Sequence, residues 1–380
     1  MSGDHTDRPP AGEPGPGAVL DTDALIVEHT VWQQDDVDPA AVEQAMRALE
    51  RERFQRRSGG LQARALNLVA IVDADYAGEI ARRLEGIGRN APSRTILIRV
   101  HPKRKGLSAR VTVATQGDGA AEAANELVML DVAERHLTRL ESIIDPMVMT
   151  DVPTLVWAPH GHGAALESLG EIAQTVMLDT TDAADIATGF DEAAGLIDPR
   201  GLQVVDLAWL RATPWRLRLA AHYEPAHRRA GLWSIRDVHV QHHPGSEAAA
   251  WLFLGWLGNR LNWRCEGFRV LDAAGHDVGL RLTPVDVGVQ GLAGTAVSSR
   301  DGSAFALGRN PGGLRARRLD VQGDQSGPGA GEPAVERQWT VLGASRGEAG
   351  VLGRALRRTL VPDDGYVGAL DTARRLLSCT

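Results

Sequence analysis

Short apolar runs alternate with helical stretches between residues 65 and 196, and this alternation constrains the fold more than any other feature of the chain. The apolar runs are typical of buried strands, and the stretches between them repeat their apolar positions at helical spacing. Strands that alternate with helices in this way predict an α/β unit with a largely parallel or mixed sheet. The predicted strands are 65–72, 95–100, 109–115, 126–132, 152–158 and 175–178.

The second half of the chain has a different pattern. A helical stretch at 206–224 is interrupted at Thr213-Pro214, and the apolar segment 248–263 predicts a buried helix in which Gly255 and Gly258 let a second element approach closely. Short alternating segments with Gly-rich turns then predict antiparallel β-structure, followed by helices. We therefore expect an N-terminal α/β domain with a mixed sheet, and an α+β domain with an antiparallel sheet and C-terminal helices.

Composition sets the expected domain limits. Residues 1–24 are polar and rich in Pro and Gly, without the apolar core of a signal peptide, and predict a disordered tail. The N-terminal α/β domain is expected at 25–200 and the C-terminal α+β domain at 201–321. A linker rich in Gly, Pro, Asp and Ser is expected at 322–336, before a helical segment at 337–380.

Charge and cysteine content argue against several classes of protein. The formal net charge of −8 disfavours nucleic acid as a partner, and no apolar run reaches the roughly 20 residues that a membrane-spanning helix needs. Two cysteines, Cys265 and Cys379, are too few for a disulfide framework and fit a reducing cytoplasm, although a redox pair between them stays open. Because they are far apart in sequence, we expect no sensitivity to thiol oxidants.

The motifs of the common enzyme classes are missing. The sequence has no GxxxxGK[ST] phosphate loop, no GxSxG nucleophile turn and no HExxH zinc motif. The nearest dinucleotide fingerprint begins at Gly161 and has Leu166 in place of its third glycine, which is a weak match. We expect no catalytic residue, no metal site and no cofactor.

Three residues are candidates for a small-molecule site. His160 and His162 follow a predicted strand, and loops at the carboxyl ends of strands are where α/β proteins bind ligands. Together with Arg94 they could hold the phosphate of a sugar phosphate, and the alternative is two solvated histidines. Asp73 and Asp75 could bind magnesium, or Asp75 could cap the next helix.

Tryptophan is unusually frequent, with nine Trp against three Tyr and five Phe. Trp and Arg are enriched at interface hot spots, because each buries a large area and keeps a hydrogen-bond donor. One segment interleaves the two residue types around the Pro214 kink. Its members are Trp209, Arg211, Trp215, Arg216 and Arg218. They predict a partner-binding segment in which Arg216 is a surface side chain, and core packing of the tryptophans is the alternative.

A second cluster of arginines lies near the C-terminus. Arg354, Arg357 and Arg358 are spaced i, i+3 and i+4, which places them on one face of a helix. Such a face is either solvated or a docking surface for an acidic partner.

Four segments, in their order and spacing, resemble the OpcA-type glucose-6-phosphate dehydrogenase assembly proteins. They are PSR at 92–94, DVPTLVW at 151–157, DLAWLRATPWR at 206–216 and GWLGNRLNW at 255–263. The resemblance extends from about residue 30 to about residue 310.

The resemblance implies a non-catalytic assembly factor and allosteric activator of glucose-6-phosphate dehydrogenase in the oxidative pentose phosphate pathway. It implies binding to that enzyme and promotion of its active oligomer, with no catalytic residue to assign. The alternatives are a sugar-phosphate-binding enzyme and an unrelated metabolic scaffold.

Overall fold

The computed structural model describes residues 30–56, 65–88, 93–116, 123–159, 161–198, 200–320, 335–342, 347–361 and 363–379. The predicted tail at 1–24 and most of the predicted linker at 322–336 lie outside these residues. The expected combination of an α/β half, a second sheet and C-terminal helices is confirmed. None of the described helices is long and apolar enough to cross a bilayer.

The first sheet has eight strands. In chain order they are β1 (Thr30–Gln34), β2 (Leu66–Asp73), β3 (Ser93–His101), β4 (Ser108–Gln116), β5 (Ala123–Ala133), β6 (Thr154–Trp157), β7 (Thr175–Leu178) and β8 (Gln203–Asp206). In space they follow the order β1-β4-β5-β3-β2-β6-β7-β8, and β4 alone runs in the direction opposite to the other seven strands. The parallel part, β5-β3-β2-β6-β7-β8, is therefore a doubly wound sheet whose strand order reverses between β2 and β6.

Helices cover both faces of this sheet, which explains its near-continuous aliphatic strands. The helices of this half are α1 (Pro39–Arg56), α2 (Ala77–Gly88), α3 (Leu140–Ile144), α4 (Gly163–Ser168) and α5 (Ile186–Ile197). Successive residues of β2 point to opposite faces, yet every residue from Leu66 to Val72 is buried. Two apolar clusters form, one on each face of the sheet.

The second sheet has six strands in the order β12-β9-β13-β14-β15-β16. Its strands are β9 (Ile235–His242), β12 (Gly279–Pro284), β13 (Leu292–Ser299), β14 (Ala304–Asn310), β15 (Gly313–Asp320) and β16 (Val335–Leu342), and a separate hairpin pairs β10 (Arg264–Glu266) with β11 (Arg269–Leu271). All neighbours are antiparallel except β12 and β9. The expectation of a helical segment from residue 337 is wrong at its start, because β16 adds an edge strand there.

The helices of the second half pack tightly against one another. They are α6 (Leu207–Arg211), α7 (Thr213–Tyr223), α8 (Ala226–Trp233), α9 (Glu247–Arg260), α10 (Gly347–Leu360) and α11 (Asp364–Leu377). As predicted, α9 is buried and its glycines admit a close neighbour: Gly255 faces the backbone of Ala369 and Ala373 in α11.

The two halves share one apolar core. The strand β8 completes the first sheet although it follows the predicted boundary at residue 200. The larger core cluster contains Leu68 and Trp157 from the first sheet together with Trp209, Leu254 and Leu370 from the helices of the second half. The division into separate domains at 25–200 and 201–321 stays a prediction.

Cys265 and Cys379 form a disulfide that ties the β10–β11 hairpin to the end of α11. Their Cα atoms are 6.0 Å apart although 114 residues separate them in sequence. The structure therefore contains the Cys265–Cys379 pair that the sequence analysis left open. The expectation of no sensitivity to thiol oxidants, which was drawn from the distance between the cysteines in sequence, is wrong.

Candidate functional site

The strand order of the first sheet reverses between β2 and β6, and the carboxyl edge of the sheet at this point is the candidate ligand site. Ligands of open α/β sheets bind at this kind of reversal point, because the loops after the two strands diverge to opposite faces. Here the turn after β2 and the loop after β6 approach one another, and His162 Nε2 lies 3.1 Å from Asp73 Oδ1.

The turn after β2 carries carboxylates where a dinucleotide-binding turn has glycines. In the fingerprint G-x-G-x-x-G the first glycine ends the strand and the third enters the helix. The corresponding residues here are DADYAG at 73–78, so Asp73 and Asp75 replace the first two glycines and only Gly78 remains. Asp75 is exposed, and Asp73 is half-exposed and in contact with His162.

Sequence reasoning treated these aspartates as a magnesium site or a helix cap and missed their place in the fingerprint. Asp75 lies in a 3₁₀ turn, Ala74–Tyr76, that precedes α2. Within the described part of the chain, no three His, Cys, Asp or Glu side chains are grouped so that they could hold a metal ion.

The three ligand-loop candidates do not come together. His160 lies outside the described residues, and His162 lies at the carboxyl edge of the sheet. Arg94 is paired in register with Asn67 near the start of β2, about 20 Å along the strand from Asp73. A phosphate site that joins Arg94 to the histidine loop is therefore wrong.

Arg94 has an internal structural role instead. Its side chain is buried, with Nε donating to Glu126 Oε2 at 2.8 Å and Nη2 to Glu50 Oε1 at 2.6 Å. Nη1 donates to the carbonyl of Met147 at 2.8 Å. These bonds hold β3, β5 and α1 together.

Most of the predicted partner-binding segment is buried. Trp209 and Trp215 are 3% and 2% exposed, and Arg211 and Arg216 are also buried, while Arg218 is exposed. The expectation that Arg216 is a surface side chain is wrong. Its guanidinium stacks 3.2 Å from the centroid of the Trp209 ring and donates to Trp209 O and Thr213 Oγ1.

Arg211 connects the first sheet to α10. Its Nη1 donates to Asp179 Oδ2 at 2.5 Å, after β7, and its Nε and Nη2 donate to both carboxylate oxygens of Glu348 at 2.9 and 2.8 Å. The bidentate contact with Glu348 is the strong form of an arginine–carboxylate interaction, and the single positive charge of Arg211 is shared between Glu348 and Asp179.

A buried carboxylate, Asp206, is the second link between the halves. It accepts hydrogen bonds from the backbone and hydroxyl of Thr180, from Ala208 N and from the hydroxyl of Tyr366 in α11. Burial, with a further contribution from nearby Asp179, raises the pKa of Asp206 to about 6.

The α10 arginines lie beside the Trp–Arg segment, and sequence reasoning had treated the two as separate patches. Arg357 is exposed, while Arg354 and Arg358 are half-exposed, and Arg358 Nη2 lies 3.7 Å from Asp363 Oδ2. Arg354 borders a groove between α7 and α10, which we call the α7–α10 groove. It is lined by Pro214, Trp215, Leu314, Val351, Arg309 and Arg354.

Arg309 was missed by sequence reasoning. It lies in β14, and its guanidinium carbon is 6.0 Å from the centroid of the Trp215 ring. Only the pairing of β14 with its neighbours brings it to α7, and nothing in the local sequence signals that contact.

Two family models match the chain in succession. One describes the N-terminal domain of a glucose-6-phosphate dehydrogenase subunit and matches residues 85–194. The other describes the C-terminal domain of the same kind of subunit and matches residues 202–370. Together they match well over half of the chain.

Curated relatives carry the description OxPP cycle protein OpcA. The protein of Synechococcus elongatus is 25% identical over 182 residues, which are 44% of this chain and 41% of that protein. The protein of Nostoc punctiforme is 28% identical over 142 residues, 37% of this chain and 30% of the relative. The chain thus matches less than half the length of these relatives.

Among solved structures, the chain is similar to a scyllo-inositol dehydrogenase from Lactobacillus casei. The similarity has a TM-score of 0.36 and 12% identity, and covers 83% of this chain and 96% of that one. A TM-score this low carries no conclusion.

Proposed function

The chain belongs to the OpcA family of glucose-6-phosphate dehydrogenase assembly proteins, and from this premise we propose that it is a non-catalytic partner of glucose-6-phosphate dehydrogenase that promotes the active oligomer of that enzyme. The proposal covers both binding to the dehydrogenase and the allosteric activation that follows from assembly.

The turn after β2 is the observation that carries the non-catalytic part of the proposal. A dehydrogenase with this strand order would hold the cofactor pyrophosphate against backbone N–H groups of a glycine turn. The exposed carboxylate of Asp75 opposes an anion at that place, and Asp73 removes the glycine at which the strand would end. Two unit charges 4 Å apart repel by about 4 kcal/mol near a protein surface, so a carboxylate in this turn disfavours pyrophosphate.

Activation without chemistry has a simple thermodynamic basis. A protein that binds an oligomer and not its separated subunits stabilises the oligomer by its binding free energy at the prevailing concentration. If the oligomer is the active form, the same binding raises activity. The dehydrogenase would then gain activity at concentrations at which it otherwise dissociates.

The partner-binding residues inferred from sequence divide into two groups. Trp209, Arg211, Trp215 and Arg216 are buried and support the surface from beneath. Arg218, Arg354, Arg357 and Arg358 are at least partly exposed, and they are our candidates for direct contact with the dehydrogenase.

Enzyme assays test the proposal. The purified chain should neither reduce NADP in the presence of glucose 6-phosphate nor show saturable binding of NADP by calorimetry. Added to dilute glucose-6-phosphate dehydrogenase from the same organism, it should raise the rate of NADP reduction. Turnover by the chain alone, or no effect on the dehydrogenase at any ratio, would contradict the proposal.

A further inference from the structure

We propose that a pocket at the carboxyl ends of β3 and β5 binds a small phosphorylated molecule that also carries hydroxyl groups, a sugar phosphate or a nucleotide. The segment 102–107 follows β3, and the 3₁₀ turn Glu134–Arg139 follows β5. Because β3 and β5 are parallel neighbours, both segments lie at the edge of the sheet where α/β folds bind ligands. We call this cavity the His136 pocket, and the inference does not depend on the proposed function.

The His136 pocket has the size of a small-molecule site. Its volume is about 450 Å³, and ligand pockets range from roughly 300 to 1,000 Å³. Its apolar lining, Val37, Leu107 and Ile143, comes from the segment before α1, the loop after β3 and the helix α3. A few polar side chains complete the lining, which is the usual composition of a ligand pocket.

His136 supplies a buried hydrogen-bond donor at this pocket. The residue lines the pocket and is only 6% exposed. Its Nδ1 accepts the backbone N–H of Ala133 at 3.2 Å, so the proton of the neutral ring lies on Nε2. Among the residues that the structure describes, no acceptor forms a hydrogen bond with Nε2. Since buried polar groups are nearly always paired, this donor is available to an acceptor on a bound molecule.

The charge around this donor is positive. Arg135 donates through Nη1 and Nη2 to the backbone carbonyls of Arg104 and Lys105, which fixes its guanidinium without neutralising it. Arg139 lines the pocket and is exposed, as is Lys105. Within the described ranges, no carboxylate forms an ion pair with Lys105, Arg135 or Arg139. Burial lowers the pKa of His136, and the charges of Arg135 and Arg139 lower it further, so a neutral ring faces a positive potential that attracts an anion.

A phosphate monoester fits these groups better than a carboxylate does. At neutral pH it carries nearly two negative charges and three acceptor oxygens. It can therefore accept from both His136 and Arg139 while its second charge is balanced by Arg135. A carboxylate brings one charge and two oxygens to the same cations.

Asp36 favours hydroxyl groups on the rest of the ligand. It lines the pocket and is exposed, and in the described part of the chain its carboxylate has no hydrogen bond or ion pair. A carboxylate repels phosphate and accepts hydrogen bonds from hydroxyl groups. The pocket thus favours a molecule with its phosphate at Arg139 and its hydroxyl groups at Asp36, which inorganic phosphate lacks.

Calorimetric titration of the full chain at 50 mM NaCl tests the inference. The probes are glucose 6-phosphate, AMP and inorganic phosphate. We expect saturable 1:1 binding of an organic phosphate with a Kd at least about tenfold below that of inorganic phosphate, because only the organic probes reach Asp36 and the apolar lining. Tighter binding of glucose 6-phosphate identifies a sugar phosphate as the ligand, and tighter binding of AMP identifies a nucleotide. If neither organic probe binds, or if inorganic phosphate binds as tightly, the inference is overturned.

Two pairs of variants locate the binding. Arg139→Glu reverses a charge at the pocket, and Arg82→Glu reverses one on an exposed residue of α2. Ser142→Trp fills the pocket, and Thr138→Trp adds the same bulk at an exposed residue that does not line it. Melting temperatures identify any variant that fails to fold, in which case the other pair decides.

We expect Arg139→Glu and Ser142→Trp to raise Kd about tenfold or more, with both controls within about twofold of wild type. Equal Kd values within either pair of folded variants would overturn the inference. Because the titrations use this chain alone, their failure would leave the proposed activation of glucose-6-phosphate dehydrogenase unaffected.

Discussion

The substitution Gly255→Ala tests the packing of α11 on α9, which builds the core of the second half. A methyl group at this position would clash with the carbonyl oxygen of Ala369 and would lie 2.8 Å from the backbone nitrogen of Ala373. Both are backbone atoms of α11, so no side-chain rotation relieves the contact. Reaching ordinary contact distance from the carbonyl oxygen of Ala369 requires α11 to move by roughly 1.2 Å, as overpacked cores do.

The expected magnitude follows from two opposing effects. Overpacking of this kind costs typically 1–3 kcal/mol, and the upper end applies because backbone must move. Replacing glycine by alanine in a helix returns about 1 kcal/mol. The net loss in the free energy of unfolding is about 2 kcal/mol, which corresponds to a melting temperature about 3 °C lower for a chain of this size.

Gly258→Ala in the same helix is the matched control. Its methyl group would lie 3.1 Å from Thr372 Cγ2 and Trp263 Cε3, both side-chain atoms that can shift by a few tenths of an ångström. We expect a change within about 1 kcal/mol of zero, because the gain in helix propensity offsets the tight contact. Urea denaturation of both variants, followed by circular dichroism, measures the difference. If Gly255→Ala is as stable as Gly258→Ala, the close approach of α11 is refuted.

Three further predictions concern buried groups. Arg94→Ala should lower the free energy of unfolding by about 3–5 kcal/mol, because it removes a buried ion pair with the carboxylate of Glu126; a loss below about 1 kcal/mol in urea denaturation would contradict that role. Reducing the Cys265–Cys379 disulfide should lower stability by up to about 4–5 kcal/mol, as expected for a closed loop of this length, and dithiothreitol should shift the urea midpoint of the wild type but not of Cys265→Ser. Asp206 has a pKa raised to about 6 by burial, so the folded chain binds its proton more tightly than the unfolded chain does. The contribution of Asp206 to the free energy of unfolding should therefore fall by about 3 kcal/mol as pH rises from about 4 to about 6, and the stability of Asp206→Asn should fall by that much less than the stability of wild type; identical pH profiles would refute the assignment.

Six of the eight strands of the first sheet could be predicted from sequence because its central strands are buried on both faces, whereas β1 and β8 were missed. Runs such as 65–72 are apolar at nearly every position, and the helices between them have clear periodicity. The close approach at Gly255 could also be predicted, since two glycines in an apolar helix leave room for a neighbour. In both cases the signal lies within a few adjacent residues.

The incorrect predictions concern features that the local sequence pattern does not signal. β16 was missed because residues 336–340 are all exposed, so this edge strand has no apolar alternation. Arg216 was taken as a surface residue because its stacking on Trp209 depends on the turn between α6 and α7. The Cys265–Cys379 pair required knowing that α11 returns to the β10–β11 hairpin.

Some residues of the candidate site could also be predicted from the sequence. Arg354 of α10 and the Trp–Arg segment were both identified, but their meeting at one groove depends on α10 packing beside α6 and α7. Arg309 lies in β14, which no local pattern connects with α7. Asp73 and Asp75 can be placed at the reversal of strand order only when the order of the strands in the sheet is known.

Mass photometry of glucose-6-phosphate dehydrogenase, titrated with this chain while NADP reduction is measured on the same samples, tests the central claim most directly. We predict that the chain shifts the dehydrogenase from smaller species to a larger assembly that contains both proteins. Mass and activity should then rise with the same midpoint. Activity that increases with no change in the mass distribution, or a larger assembly without increased activity, would contradict the claim.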